Sequence, residues 1–187
     1  MQTKKAFFKE AIKNFKTAGT ITPSSRFLIK KMLHSIDFNT AKVIVEYGPG
    51  NGIITHQILN KMQSDCVLIC FEINTHFYKH LKEINDGRLI VLKSSAENIL
   101  IELKKLNINF ADYFISSLPL TMLPKLVSQN ILVKSKHALR TNGQFIQYQY
   151  SLRFYRKFKQ IFNKNNVSLN FELANIPPAF IYKCIKK

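Results

Sequence analysis

Hydrophobic and polar positions follow two periods along this chain of 187 residues. Short apolar runs at 43–47, 67–71, 89–92, 112–116 and 144–150 are each bounded by polar or glycine positions. They are too short for helices and too continuous for half-exposed strands, so they read as strands covered on both faces. Between them, at about 52–62, 75–84, 97–105 and 122–138, apolar residues recur at helical spacing. Strands alternating with helices predict βαβ units and a parallel sheet. A further helix is expected over 151–163, then strands over 167–173 and 179–185. The linker "ANIPP" between these last two is too short for a crossover helix, so they should pair as an antiparallel hairpin. The predicted architecture is α/β and Rossmann-like: a seven-stranded sheet with a C-terminal antiparallel hairpin and N-terminal helices.

The amino-terminal pattern is different. Over 4–16, "KKAFFKEAIKNFK", Phe7, Phe8, Ala11, Ile12 and Phe15 form one helical stripe, and lysines cover the opposite face. Such a basic amphipathic helix suits an anionic membrane surface or a packed position with a solvated basic face. Gly19 and Pro23 break it, and Ser24 or Ser25 is placed to cap a helix running to about His34. Charge reinforces the first option. Lys and Arg number 28 against 11 Asp and Glu, a formal +17. That excess attracts polyanions, either nucleic acid or an anionic membrane, although a Lys-, Asn- and Ile-rich composition can also follow from genome base content. Cys66, Cys70 and Cys184 are odd in number and form no C-x-x-C pair, so no disulfide framework or metal site is expected. No apolar run is long enough for a signal peptide or a bilayer span, and a cytoplasmic protein is expected.

The candidate chemistry starts at "VIVEYGPGNGIIT", 43–55. Gly48, Gly50 and Gly52 follow the first core strand with G-x-G-x-G spacing, where a nicotinamide enzyme would have G-x-G-x-x-G. The place is the carboxyl edge of a parallel sheet, where such folds bind ligands. Glu46 stands two residues before the first glycine. It can steady the loop, or meet a ligand ammonium directly or through water; a phosphate-binding loop has less use for an acid there. Glu72 ends the second strand, about 20 residues past the glycine loop, where an acid bridges ribose hydroxyls. Glu97 follows the third strand and can accept from an adenine amino group. Ser116, Ser117 and Pro119 end the fourth strand beside the expected methyl group. Together these features indicate S-adenosylmethionine.

The chain resembles class I S-adenosylmethionine-dependent methyltransferases over essentially its full length. Within them it looks most like bacterial phospholipid N-methyltransferases, which methylate phosphatidylethanolamine. "TAGTITPSSRFLIKKM" (17–32), "VEYGPGNGIIT", "ISSLPLTMLP" (115–124) and "GQFIQYQY" (143–150) carry the resemblance. It implies a cofactor site of Glu46, Gly48, Gly50, Gly52 and Glu72, completed by Ile73, Ala96, Glu97, Ser116 and Ser25. It also implies methyl transfer to a primary amine, with Tyr148 and Tyr150 as candidate catalytic residues that orient it and His34 as an alternative. The expected organisation is a membrane-binding or lid segment over 1–35 and a methyltransferase domain over 36–187. The expected partners are an anionic membrane surface and a phospholipid substrate, met at the inner face of the membrane. Ribosomal RNA adenine dimethyltransferases are near relatives. They carry Asn-Leu-Pro-Tyr or similar where this chain has Ser117, Leu118, Pro119 and Leu120. A flipped base would lose its hydrogen-bond acceptor and its stacking platform, which favours lipid over nucleic acid.

Overall fold

The structure, a computed structural model, describes residues 25–187. The amphipathic stripe over 4–16 lies outside these residues. Seven strands form one sheet: β1 (Val43–Tyr47), β2 (Val67–Phe71), β3 (Leu89–Leu92), β4 (Ala111–Ser116), β5 (Leu139–Gln149), β6 (Val167–Glu172) and β7 (Ala179–Ile185). Their order is β3-β2-β1-β4-β5-β7-β6. β1 to β5 are parallel, and β7 runs antiparallel between β5 and β6. The hairpin forms as its short linker requires. Helices α1 (Arg26–Leu33), α2 (Ile53–Leu59), α3 (Thr75–Lys82), α4 (Ile99–Lys105), α5 (Lys125–Ala138) and α6 (Tyr155–Phe162) cover the sheet.

Side chains alternate across each strand, so one strand feeds two cores. Val45, Tyr47, Ile69, Phe71, Phe114 and Phe145 share one cluster with α4, α5 and α6. Ile44, Leu68, Cys70, Ile115 and Ile146 share the other with α1 and α2. That two-sided burial is why the strands read as unbroken apolar runs. β5 begins earlier than its apolar run predicts, at Leu139, because Leu139 pairs with Ala111 before a register shift brings Gln144 opposite Tyr113. Asn142 takes a positive φ of 64° there, and its N–H donates to the Lys186 carbonyl at 2.7 Å. The helix expected over 122–138 starts at Lys125, after a short 3₁₀ turn at Leu120–Met122. Pro124 follows that turn and fixes where the helix begins.

Candidate active site

The carboxyl ends of β1, β2 and β4 meet at one edge. The N–H of Gly48 donates to the Phe71 carbonyl at 3.1 Å, and that of Ser117 to the Tyr47 carbonyl at 3.0 Å. These bonds lock the glycine loop between its two neighbouring strand ends. Gly48 has a φ of +67°, and a Cβ there would lie 3.1 Å from Leu118 Cδ2. Only glycine meets both conditions without strain. Gly50 has a φ of +58°, and a Cβ there would meet nothing within 4 Å, so its backbone borders open space that a ligand can approach. Gly52, also at positive φ, caps α2.

Glu72 is nearly buried. Its Oε2 accepts from the Gly50 N–H at 3.2 Å and its Oε1 from the Asn74 N–H at 2.7 Å. One carboxylate therefore joins the end of β2 to the tip of the glycine loop. Glu97 is half-buried, and its Oε1 accepts from Asn130 Nδ2 of α5 at 3.2 Å. Ala96 beside it is buried, while Ile73 is partly buried against the core. Glu46 is wholly buried beneath the loop. Its Oε2 accepts from Thr55 Oγ1 at 2.7 Å and from Cys70 Sγ at 3.4 Å. Its Oε1 has no partner. Burial, opposed by the Thr55 and Cys70 hydrogen bonds and aided by the nearby Glu72 charge, pushes this carboxyl up to about 7. Of the two roles the sequence leaves open, the first is seen only indirectly: through Thr55 and Cys70 the carboxyl ties β1 to α2 and β2, which flank the loop. The unpartnered oxygen leaves the second role available.

Ser116 turns inward to the fold, whereas Ser25 is partly buried. Ser116 is fully buried, and its Oγ accepts from the Leu118 N–H at 3.4 Å. Ser25 caps α1, accepting from the Leu28 N–H at 3.2 Å, and its own N–H donates to Asn175 Oδ1 at 2.9 Å. Tyr148 and Tyr150 do come together, edge to face with ring centroids 5.7 Å apart. They line a cleft of about 160 Å³ with Ser117, Leu118, Pro119 and Gln149. The Tyr150 phenol is pushed up to about 12, first by burial and then by Tyr148, while a hydrogen bond with Asn175 opposes the shift. It stays protonated at neutral pH and can orient an amine but not take its proton. His34 ends α1 and does not line this cleft.

Several residues of the site were invisible to sequence reasoning. Thr55, Cys70 and Asn130 hold the acids, and no local pattern marks them. Asn175, almost fully buried in the β6–β7 linker, ties Ser25 to Tyr150. Gln147 and Gln149 both donate to the Leu118 carbonyl, at 3.1 and 2.8 Å.

No protein-family model matches the chain. It is 30% identical to an ornithine lipid N-methyltransferase of Singulisphaera acidiphila, over 95% of this chain and 93% of that one. The chain belongs to the class I S-adenosylmethionine-dependent methyltransferases. This methyltransferase is also 28% identical to ribosomal RNA small subunit methyltransferase A of Campylobacter fetus, over 59% of its own length but 39% of the relative's. Its fold matches the precorrin-6y C5,15-methyltransferase of Geobacter metallireducens at a TM-score of 0.67, with 13% identity, covering 89% of this chain and 92% of that one. It likewise matches an O-methyltransferase of Bacillus cereus solved in complex with SAH, at a TM-score of 0.65 and 14% identity, covering 97% and 91%. The cofactor is S-adenosyl-L-methionine. The residues fit it: open space faces Gly50, and a buried acid below the loop keeps one oxygen unpaired. Among the described residues no cluster of His, Cys, Asp and Glu could hold a metal ion, and no helix is long and apolar enough to cross a membrane.

Proposed function

We infer that this methyltransferase methylates the primary amine of a membrane lipid headgroup, phosphatidylethanolamine or an ornithine-bearing lipid, while peripheral to the membrane. The observation that carries the reading is the acceptor cleft. Leu120, which stands where the resembling RNA enzymes place a stacking aromatic, is fully buried and offers a base no platform. The Leu118 carbonyl already accepts from the Leu120 N–H at 2.8 Å and from the Gln147 and Gln149 amides, so that oxygen is not free for an incoming amine. A cleft of about 160 Å³ between a proline turn and two tyrosines suits a small amine head better than a flipped purine. The lipid relative supports the same class of acceptor.

When bound, the cofactor supplies an electrophilic methyl group on its sulfonium. The chain's own task is alignment, which is worth most in a displacement of this kind. Tyr148 and Tyr150 present phenol oxygens and ring faces to the amine, and the ring faces also favour the cationic methylated products. Glu72 and Glu97 would hold the cofactor's ribose and adenine ends, with Glu46 beneath the loop. The amine must lose its proton before or during transfer. Tyr150 stays protonated at neutral pH, so the amine's proton goes to solvent or to another group.

The test uses purified full-length protein and radiolabelled cofactor. Vesicles of phosphatidylethanolamine, vesicles containing an ornithine lipid, and unmodified ribosomal RNA are offered separately. Label in either lipid supports the reading and names the headgroup. Label in RNA alone would overturn it.

A further inference from the structure

A groove of about 800 Å³ runs between α1 and α2, apart from the acceptor cleft. Its apolar lining comes from Phe27, Ile29, Leu33, Ile36, Phe38 and Ile53. Ile29, Leu33 and Ile36 are buried, whereas Phe27 is about half exposed, at 47%. Ile53 follows Gly52 directly, so the groove reaches the cofactor loop. Among the described residues three permanent cations, Arg26, Lys30 and Lys61, line it, and no Asp or Glu does. Arg26 and Lys30 lie one helical turn apart on α1, and Lys61 comes from the chain just beyond α2.

The state of these cations separates this groove from its neighbour. A second groove, of about 490 Å³, shares Phe27, Lys30 and His34 with the first and contains Glu172, which pairs with Lys31 at 3.2 Å. Among the described residues, Arg26, Lys30 and Lys61 form no ion pair. Arg26 lies over the Phe27 ring at 5.0 Å, but none of the three has a carboxylate partner among the described residues, and such cations beside an apolar floor match a ligand with an anionic head and an apolar tail. The size is that of a pocket for one ligand of a few tens of atoms.

We propose that this groove holds one anionic membrane lipid, its acyl chain on the Ile29–Leu33–Ile36 floor and its phosphate met by Arg26, Lys30 and Lys61. The charge pattern selects this occupant over the chain's own amino terminus. Residues 4–16 carry five lysines against Glu10 alone, the same sign as the groove's cations. A phosphate relieves that repulsion, while a basic peptide adds to it. A lipid held here lies beside the glycine loop, because Ile53 follows Gly52 directly. The assignment does not rest on which amine is methylated, because the lipid it names needs no amine.

The experiment is calorimetric titration of the full-length protein with monomeric short-chain phosphatidylglycerol, a lipid that cannot be N-methylated. The expected result is saturable binding of one lipid per chain that weakens as salt rises. Arg26→Ala with Lys30→Ala should weaken it by about 30-fold, each cation contributing severalfold. Both positions are exposed, so the variant should fold, and unchanged S-adenosylhomocysteine affinity verifies that. Lengthening the acyl chains should tighten binding by about fourfold per buried methylene. Three results would each overturn the proposal: affinity unchanged in the double variant, affinity independent of chain length, or no binding by the full chain. The last would mean that the groove is already filled by another segment of this protein. Loss of lipid methylation with lipid binding intact would instead count against the acceptor reading alone.

Discussion

Replacing Glu46 by Gln tests the buried acid beneath the loop. In the folded protein the Glu46 carboxyl titrates at about 7, against an ordinary 4.5, with desolvation as the main cause. A carboxyl raised in the folded state stabilises that state below about pH 4.5, where both states hold the proton. As pH rises the unfolded chain releases its proton first, so stability falls until the folded carboxyl ionises near 7. The gap corresponds to about 3 kcal/mol. In the Glu46→Gln variant the side-chain amide keeps an oxygen for Thr55 and Cys70 but cannot ionise. Relative to that variant, the ligand-free wild type should therefore lose about 3 kcal/mol between pH 4 and pH 8, or roughly 6–12 °C in Tm for a chain of this size. Urea unfolding of both proteins at several pH values measures it, since titrations common to both cancel in the difference. Saturating S-adenosylhomocysteine should reverse the trend if its ammonium meets the unpartnered oxygen: wild-type affinity rises through pH 7 and the variant's stays flat. A stability difference that does not change with pH would refute the argument that this carboxyl is desolvated.

Three further outcomes follow from the same geometry. Glu72→Ala leaves the Gly50 and Asn74 N–H groups without their acceptor; calorimetry should show cofactor affinity down by about tenfold or more. Tyr150→Phe keeps the ring and removes the hydroxyl; acceptor kcat/KM should fall by about 2- to 10-fold with cofactor Kd unchanged. Leu120→Tyr inserts a larger ring into a fully buried position; it should cost about 1–3 kcal/mol in urea unfolding and should not create activity on RNA.

Much of the fold could be read from the chain because the sheet is covered on both sides. The apolar runs then mark the strands, and β1, β2, β3 and β7 have the expected bounds. The start of β5 could not be read: Arg140, Thr141 and Asn142 are exposed polar residues, held in the strand by pairing at Ala111 and Lys186 rather than by their own character. The glycine loop and Glu72 were legible because their spacing is set by short-range geometry between adjacent strand ends. Glu46 was legible as an acid but not as a buried one, since Thr55 and Cys70 reach it only after α2 folds over β1 and β2. Ser116 was expected beside the methyl group, but nothing in its surroundings in the sequence marks it as fully buried or as the acceptor of the Leu118 N–H in the turn that follows. Asn175 lies 150 residues from Ser25, and no pattern within the hairpin linker announces that contact.

The reaction proposed for this methyltransferase is transfer of methyl groups to a lipid amine. It is tested most directly by mass spectrometry of membrane lipids from a bacterial host that makes phosphatidylethanolamine but does not methylate it. Expression of the wild-type chain should produce methylated headgroups, and expression of the Glu72→Ala variant should largely abolish them. If the host is also given an ornithine lipid, the ratio of the two products identifies the preferred amine. Unchanged lipids together with newly methylated adenines in the ribosomal RNA of the same cells would contradict the account.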